Sequence, residues 1–204
     1  MATISIIGSG TMGAAIASLA LAGGNDVQVV ARDRDKAAAV DAAVTATTFG
    51  EPLTGDVVVL ALPYPALEDV ASTYRDQLVG RTVVDITNPL DFSTFDSLVV
   101  PADSSAAAEL AAKLPGATVL KAFNTNFAAT LATGTVGDTP TTVLVAGDGD
   151  DAKAALAAAL DGSAVRVVDA GSLERARELE ALGFLQLTLA AGDKTQWTTG
   201  FALL

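Results

Sequence analysis

Apolar residues gather in short runs at 3–7, 27–31, 57–62, 82–86, 118–123, 142–146 and 164–168, several of them apolar at successive positions. A strand with one wet face alternates, so unbroken runs such as Val57-Val58-Val59-Leu60 predict strands covered on both faces of a parallel sheet. Between the runs lie Ala-rich stretches at 11–22, 35–43, 65–74, 104–113, 150–160 and 173–190, which predict helices. Strand and helix in turn give an α/β class with right-handed crossovers, a Rossmann-type doubly wound, mostly parallel sheet with a small C-terminal helical portion. One connection breaks the rhythm. Residues 88–101 follow a strand with two Phe and two Pro and no helix of their own, and loops of that length are either functional or ordinary surface excursions.

The first strand runs directly into Gly8-Ser9-Gly10-Thr11-Met12-Gly13, and a helix opens at once. In such a motif Gly8 serves the tight turn, Gly10 admits a pyrophosphate close to the backbone, and Gly13 permits close helix–strand packing. The free N–H groups of the helix start then face the phosphates. The strand–turn–helix setting makes residues 1–124 the dinucleotide-binding half of one α/β domain spanning 1–204. The end of the second strand selects the dinucleotide. An acidic residue there would hold a ribose 2′-OH, but the chain reads Val30-Ala31-Arg32, with Arg34 and Lys36 close behind. A cation cluster at a helix start opposes the macrodipole, and a 2′-phosphate would offset that, so NADP(H) is expected.

Ligands of open α/β sheets lie beyond the carboxyl ends of the strands. Those ends read Leu62-Pro63-Tyr64, Thr87-Asn88-Pro89 and Asn124-Thr125-Asn126, with amides and hydroxyls suited to a flat heterocycle. Each is also ordinary turn chemistry when taken singly. Lys121 is the one base near these ends, and its place within a strand run predicts an edge or surface position rather than a catalytic one. Neither Tyr64 nor Tyr74 has a Lys four positions on, so the Tyr–Lys pair of short-chain dehydrogenases is missing.

Composition narrows the chemistry. The 204 residues hold neither Cys nor His, which removes thiol nucleophiles, Ser-His-Asp triads and the usual metal ligands, so no metal site is expected. Acids outnumber bases 24 to 12, and the net charge of −12 argues against nucleic acid and anionic membrane as partners. The start of the chain has no basic, apolar leader and no apolar run approaches a membrane span, so a cytoplasmic protein is expected. Oxidation or reduction of a hydroxyl would need a base. Hydride transfer between two bound cofactors needs chiefly proximity and orientation, and no catalytic side chain is expected.

Beyond these motifs the chain resembles the NADP oxidoreductases that use the deazaflavin coenzyme F420. The resemblance rests on Ile6–Gly13, Ala31-Arg32 with Lys36, Ala61-Leu62-Pro63, and Asp85-Ile86-Thr87-Asn88-Pro89-Leu90. It continues through Lys121-Ala122-Phe123-Asn124, Asp169-Ala170-Gly171-Ser172-Leu173 and Ala176-Arg177-Glu178-Leu179-Glu180. It implies NADP(H) on Ser9, Gly10, Thr11, Met12, Ala31, Arg32 and Lys36, with the nicotinamide near Pro63 and Ile86. F420 would lie against that ring, reached from Asn124 and from the tail at 197–204. Residues 125–204 would then shape the second-ligand pocket and a homodimer contact. The same domain is similar to the cytosolic part of metalloreductases that bind an ordinary flavin, so FMN or FAD stands as the alternative to F420. A redox sensor that binds NADP(H) without turnover is the alternative outside enzymes.

Overall fold

The computed structural model describes residues 1–204. Its strands are β1 (Thr3–Ile7), β2 (Asp26–Ala31), β3 (Thr45–Thr48), β4 (Val57–Leu60), β5 (Thr82–Asp85), β6 (Thr118–Lys121), β7 (Thr135–Val136), β8 (Thr139–Pro140), β9 (Thr142–Ala146) and β10 (Arg166–Gly171). The helices are α1 (Thr11–Ala22), α2 (Arg34–Ala38), α3 (Leu67–Tyr74), α4 (Ala106–Lys113), α5 (Ala128–Thr133), α6 (Asp150–Ala159) and α7 (Ala176–Ala191). Eight strands form one sheet in the order β10-β9-β6-β5-β4-β1-β2-β3, while β7 and β8 make a separate hairpin. From β6 to β3 every pairing is parallel, β9 meets β6 antiparallel, and β10 returns parallel to β9. The order reverses between β1 and β4, so the crevice above their ends is the topological switch point where such sheets bind ligands.

The apolar runs are buried on both faces, as their lack of alternation demands. Ile4, Ile6, Val27, Val29, Val57, Val59 and Val84 pack under α1 and α6, and Ile7, Val30, Val58, Leu60 and Val83 pack under α3 and α4. Two polar residues inside β1 and β2 have a shared purpose. The Ser5 hydroxyl donates to Gln28 Oε1 at 2.5 Å, and the Gln28 amide donates to Thr47 Oγ1 and to the Pro52 carbonyl. This buried network pins the 49–55 loop to the sheet, and Phe49 from that loop reaches the crevice.

The structure differs from the sequence pattern at four places. The predicted helix at 35–43 stops at Ala38. β3 has no apolar run, being Thr-Ala-Thr-Thr, and exists because β2 offers it a partner from Gln28 to Ala31. α5 and the β7–β8 hairpin fill a stretch with no periodicity of its own. The run predicted at 164–168 pairs two or three residues later, at Arg166–Gly171. Residues 88–101 fold on themselves through a bridge between Leu90 and Leu98 and an edge-on contact of Phe92 with Phe95. No helix is long and apolar enough to cross a membrane.

Candidate active site at the switch point

A cleft of about 530 Å³ opens above β1, β2 and β4, lined by Gly8, Ser9, Gly10, Ala31, Arg32, Lys36, Leu62 and Pro63 among others. The three glycines act differently. Gly8 sits at φ +124°, and a Cβ there would lie 2.1 Å from the Ala61 carbonyl oxygen. A Cβ on Gly13 would lie 2.1 Å from the Gly8 carbonyl oxygen, so this glycine lets α1 close onto the turn. Around Gly10 nothing stands within 4 Å of the same point. The fold therefore does not need Gly10; the space in front of it is open to a ligand. No side chain caps α1, whose N-cap is Gly10, and no acid occupies its first turn. Its free N–H groups suit an anion such as a pyrophosphate.

The basic cluster is divided. Arg34 grips Glu51 with two hydrogen bonds of 2.8 and 2.9 Å, and its guanidinium holds the Glu51 carboxyl below the usual carboxylate range. Asp33 is occupied as the cap of α2, accepting from the Asp35 N–H at 3.0 Å. Arg32 and Lys36 have no ion-pair partner, and both line the cleft. Asp33 and Asp69 line the same cleft, but neither pairs with Arg32 or Lys36, and two unpaired cations at the end of β2 suit a phosphate monoester.

The second part of the site lies beyond β5 and β6. The side chain of Asn124 donates to Asn88 Oδ1 at 2.9 Å and to the Leu179 carbonyl at 2.8 Å, while Asn88 donates to the Asn124 carbonyl at 2.8 Å. Asn124 thus clasps two strand ends to α7, a tie that spacing alone did not reveal. Phe123 beside it is fully buried at φ +61°, an unusual backbone for a bulky residue, and that reversal turns Asn124 back toward Asn88. Asn124 Oδ1, Thr87 Oγ1 and Asn126 Oδ1 are buried and accept nothing within the protein. Three such oxygens around the ends of β5 and β6 leave hydrogen-bonding capacity for a ligand. Ile86 is buried beside Thr87, and Pro89 and Leu90 lead away into the folded loop. The C-terminal tail comes to the same end of the sheet. The Trp197 ring lies 5.1 Å from that of Phe127, and Arg166 donates to the Leu203 carbonyl at 3.0 Å.

Lys121 overturns its expected surface position. It is fully buried, paired with Asp85 Oδ2 at 2.8 Å and Glu180 Oε1 at 2.7 Å, and it donates to the Thr87 carbonyl at 2.6 Å. All three ammonium protons are spoken for, and Lys121 is not available for proton transfer. Burial raises the Glu180 carboxyl above its ordinary range, against the pull of Lys121 and of the Ala106 N–H. A signal for this triad was present: Asp85 and Lys121 are opposite charges ending two apolar runs, and the parallel register places them side by side. Tyr64 is held by Glu109 at 2.5 Å, and burial together with that carboxylate pushes its hydroxyl up to about 12. It is no acid at neutral pH. Neither ionisable side chain named near the strand ends is poised to exchange a proton.

A glycine turn under an uncapped helix start, at the switch point of a doubly wound sheet, is the framework of nucleotide-dependent oxidoreductases. The family model for NADP oxidoreductase, coenzyme F420-dependent, matches residues 3–89. The F420-dependent NADP reductase of Methanothermobacter thermautotrophicus is 31% identical over 202 residues, spanning 89% of this chain and 86% of that protein. The chain belongs to this family of NADP-dependent oxidoreductases. The rat metalloreductase STEAP3 is 30% identical over 184 residues, and the chain spans only 36% of its length. Among solved structures, a proposed F420-dependent NADP reductase from Arthrobacter sp. FB24 superposes over the whole of both chains with a TM-score of 0.85 at 25% identity.

Proposed function

We propose that the protein transfers a hydride reversibly between NADP(H) and coenzyme F420. The observation that carries this reading is the cleft itself, which sets the open face of Gly10 and the two unpaired cations Arg32 and Lys36 beside strand ends that offer no general base. Ser9, Gly10, Thr11 and Met12 would hold the pyrophosphate, Ala31 would border the adenosine ribose, and Arg32 and Lys36 would hold its 2′-phosphate. Leu62, Pro63 and Ile86 would support the nicotinamide, and Asn88, Pro89 and Asn124 would face the deazaflavin. NADPH, when bound, would supply the hydride, and reduction of the deazaflavin would be completed by a proton from water. The residues of the chain orient the rings and exclude competitors, which is what a transfer between two bound cofactors requires.

A second reading follows from the likeness to STEAP3: NADPH-dependent reduction of a flavin or of ferric iron. A screen of purified acceptors with NADPH separates the two. Turnover with F420 supports the first reading, and turnover with FMN, FAD or a ferric chelate but not F420 supports the second. Tight NADPH binding with no turnover of any acceptor contradicts both and leaves a sensor.

A further inference from the structure

The interior of the site holds an ion cluster that no step of hydride transfer uses. Lys121 Nζ joins Asp85 on β5, the Thr87 carbonyl just beyond it and Glu180 on α7, with all three side chains at most 1% exposed. Glu180 also accepts from the Ala106 and Ala107 N–H groups at 3.0 and 3.3 Å, so it caps α4 from a distance of 74 residues in sequence. One cluster therefore fastens β5, β6, α4 and α7 together. Two carboxylates against one ammonium leave an excess negative charge, which the positive end of α4 offsets. Replacing such a cluster by apolar residues is often neutral or stabilising, so stability alone does not account for it.

The strand ends directly above carry the Asn88–Asn124 clasp. The Leu179 carbonyl, one residue before Glu180, accepts from Asn124. One turn later, Gly183 lies so close that a Cβ on it would stand 2.4 Å from Asn88 Oδ1 and 2.9 Å from the Asn124 carbonyl oxygen. The height of α7 over these two amides is thus set by contacts immediately on either side of Glu180.

We propose that Asp85, Lys121 and Glu180 are positioning residues of the transfer site: their ion cluster fixes α7 and the β5 and β6 ends so that Asn88 and Asn124 hold the nicotinamide and its partner ring at transfer distance. The proposal rests on the reading of the cleft as a hydride-transfer site. An ångström of slack in a reacting pair can cost about a hundredfold in rate, which is what a cluster of this kind prevents.

Lys121→Met strands two buried carboxylates and is expected to unfold, so the test uses Glu180→Gln. Glutamine keeps the shape and can still accept from Lys121, but its NH2 faces the Ala106 N–H, donor against donor, and pushes α7 off α4. Measured on the full chain, the variant should stay folded and keep its NADPH dissociation constant within twofold, because the phosphates are gripped on β1 and β2. Its kcat with F420 should fall about tenfold or more, and the emission enhancement of bound NADPH, which reports a rigid nicotinamide, should drop. A folded variant with unchanged kcat and unchanged emission overturns the proposal, and so does a loss confined to NADPH affinity. Failure of the underlying reading looks different: the unmutated protein then binds NADPH without reducing F420, and the emission comparison alone decides the positioning role.

Discussion

Single residues at the switch point divide into those the fold needs and those it leaves for a ligand. Gly13→Ala forces a methyl to within 2.1 Å of the Gly8 carbonyl oxygen, so the protein should lose stability whether or not a ligand is present. Gly10→Val points into open space. It should melt near the temperature of the unmutated protein and lose NADPH binding, as titration alongside a thermal melt would show; normal affinity in a folded variant refutes the phosphate role of the turn. Arg32 and Arg34 make a sharper pair. Asp33 caps α2 and Arg32 forms no ion pair, and charge-assisted bonds to a 2′-phosphate would contribute about 1.5–3 kcal/mol. Arg32→Ala should therefore weaken NADPH by roughly ten- to a hundredfold and NADH far less. Arg34→Ala, which frees Glu51 instead, should leave both nearly unchanged. Equal affinities of the unmutated protein for NADPH and NADH would refute the assignment.

At the level of elements, the sequence disclosed what apolar runs control and hid what partners control. β1, α1, β4 and the glycine turn follow from local pattern, and the structure places Arg32 and Lys36, which that pattern singled out, on the cleft above them. β3 does not follow from it, because four Thr and Ala residues become a strand only when β2 presents an open edge. The clasp was hidden for the same reason: Asn124 meets Leu179 across 55 residues of chain. Asn124→Ala removes the amide that ties Asn88 Oδ1 to the Leu179 carbonyl, at about 1–3 kcal/mol for a buried group left unpaired, and should lower the melting temperature by roughly 2–12 °C. Calorimetry showing no change would remove the clasp. The Glu180 carboxyl adds a pH signature. Its folded pKa is raised, so the folded state binds a proton more readily than the unfolded chain, and stability from this group is lost as pH rises from about 4.5 through the folded value. The melting-temperature difference between the unmutated protein and Glu180→Gln should shrink over that window, and a pH-independent difference contradicts the buried-carboxylate account.

The whole molecule carries 24 acidic against 12 basic residues, and several of the bases are tied up in pairs such as Arg34–Glu51 and Lys153–Asp169. Unpaired carboxylates repel one another across a small surface, over a range of about 10 Å at 0.1 M salt and about 3 Å at 1 M. Added salt should therefore raise the melting temperature, and a flat or falling curve between those conditions would show that the repulsion is unimportant. The same acidity makes Arg32 and Lys36 stand out as a basic spot in a repelling field, to which the proposed anionic dinucleotide would be drawn. The proposed function reduces to one claim: the hydride passes directly between cofactors. Reaction of F420 with NADPH deuterated at the transferred position of the nicotinamide tests that claim, read by mass spectrometry of the reduced F420. The account predicts one deuterium carried into the deazaflavin ring at each turnover. Reduction without label, or no reduction at all, would contradict it.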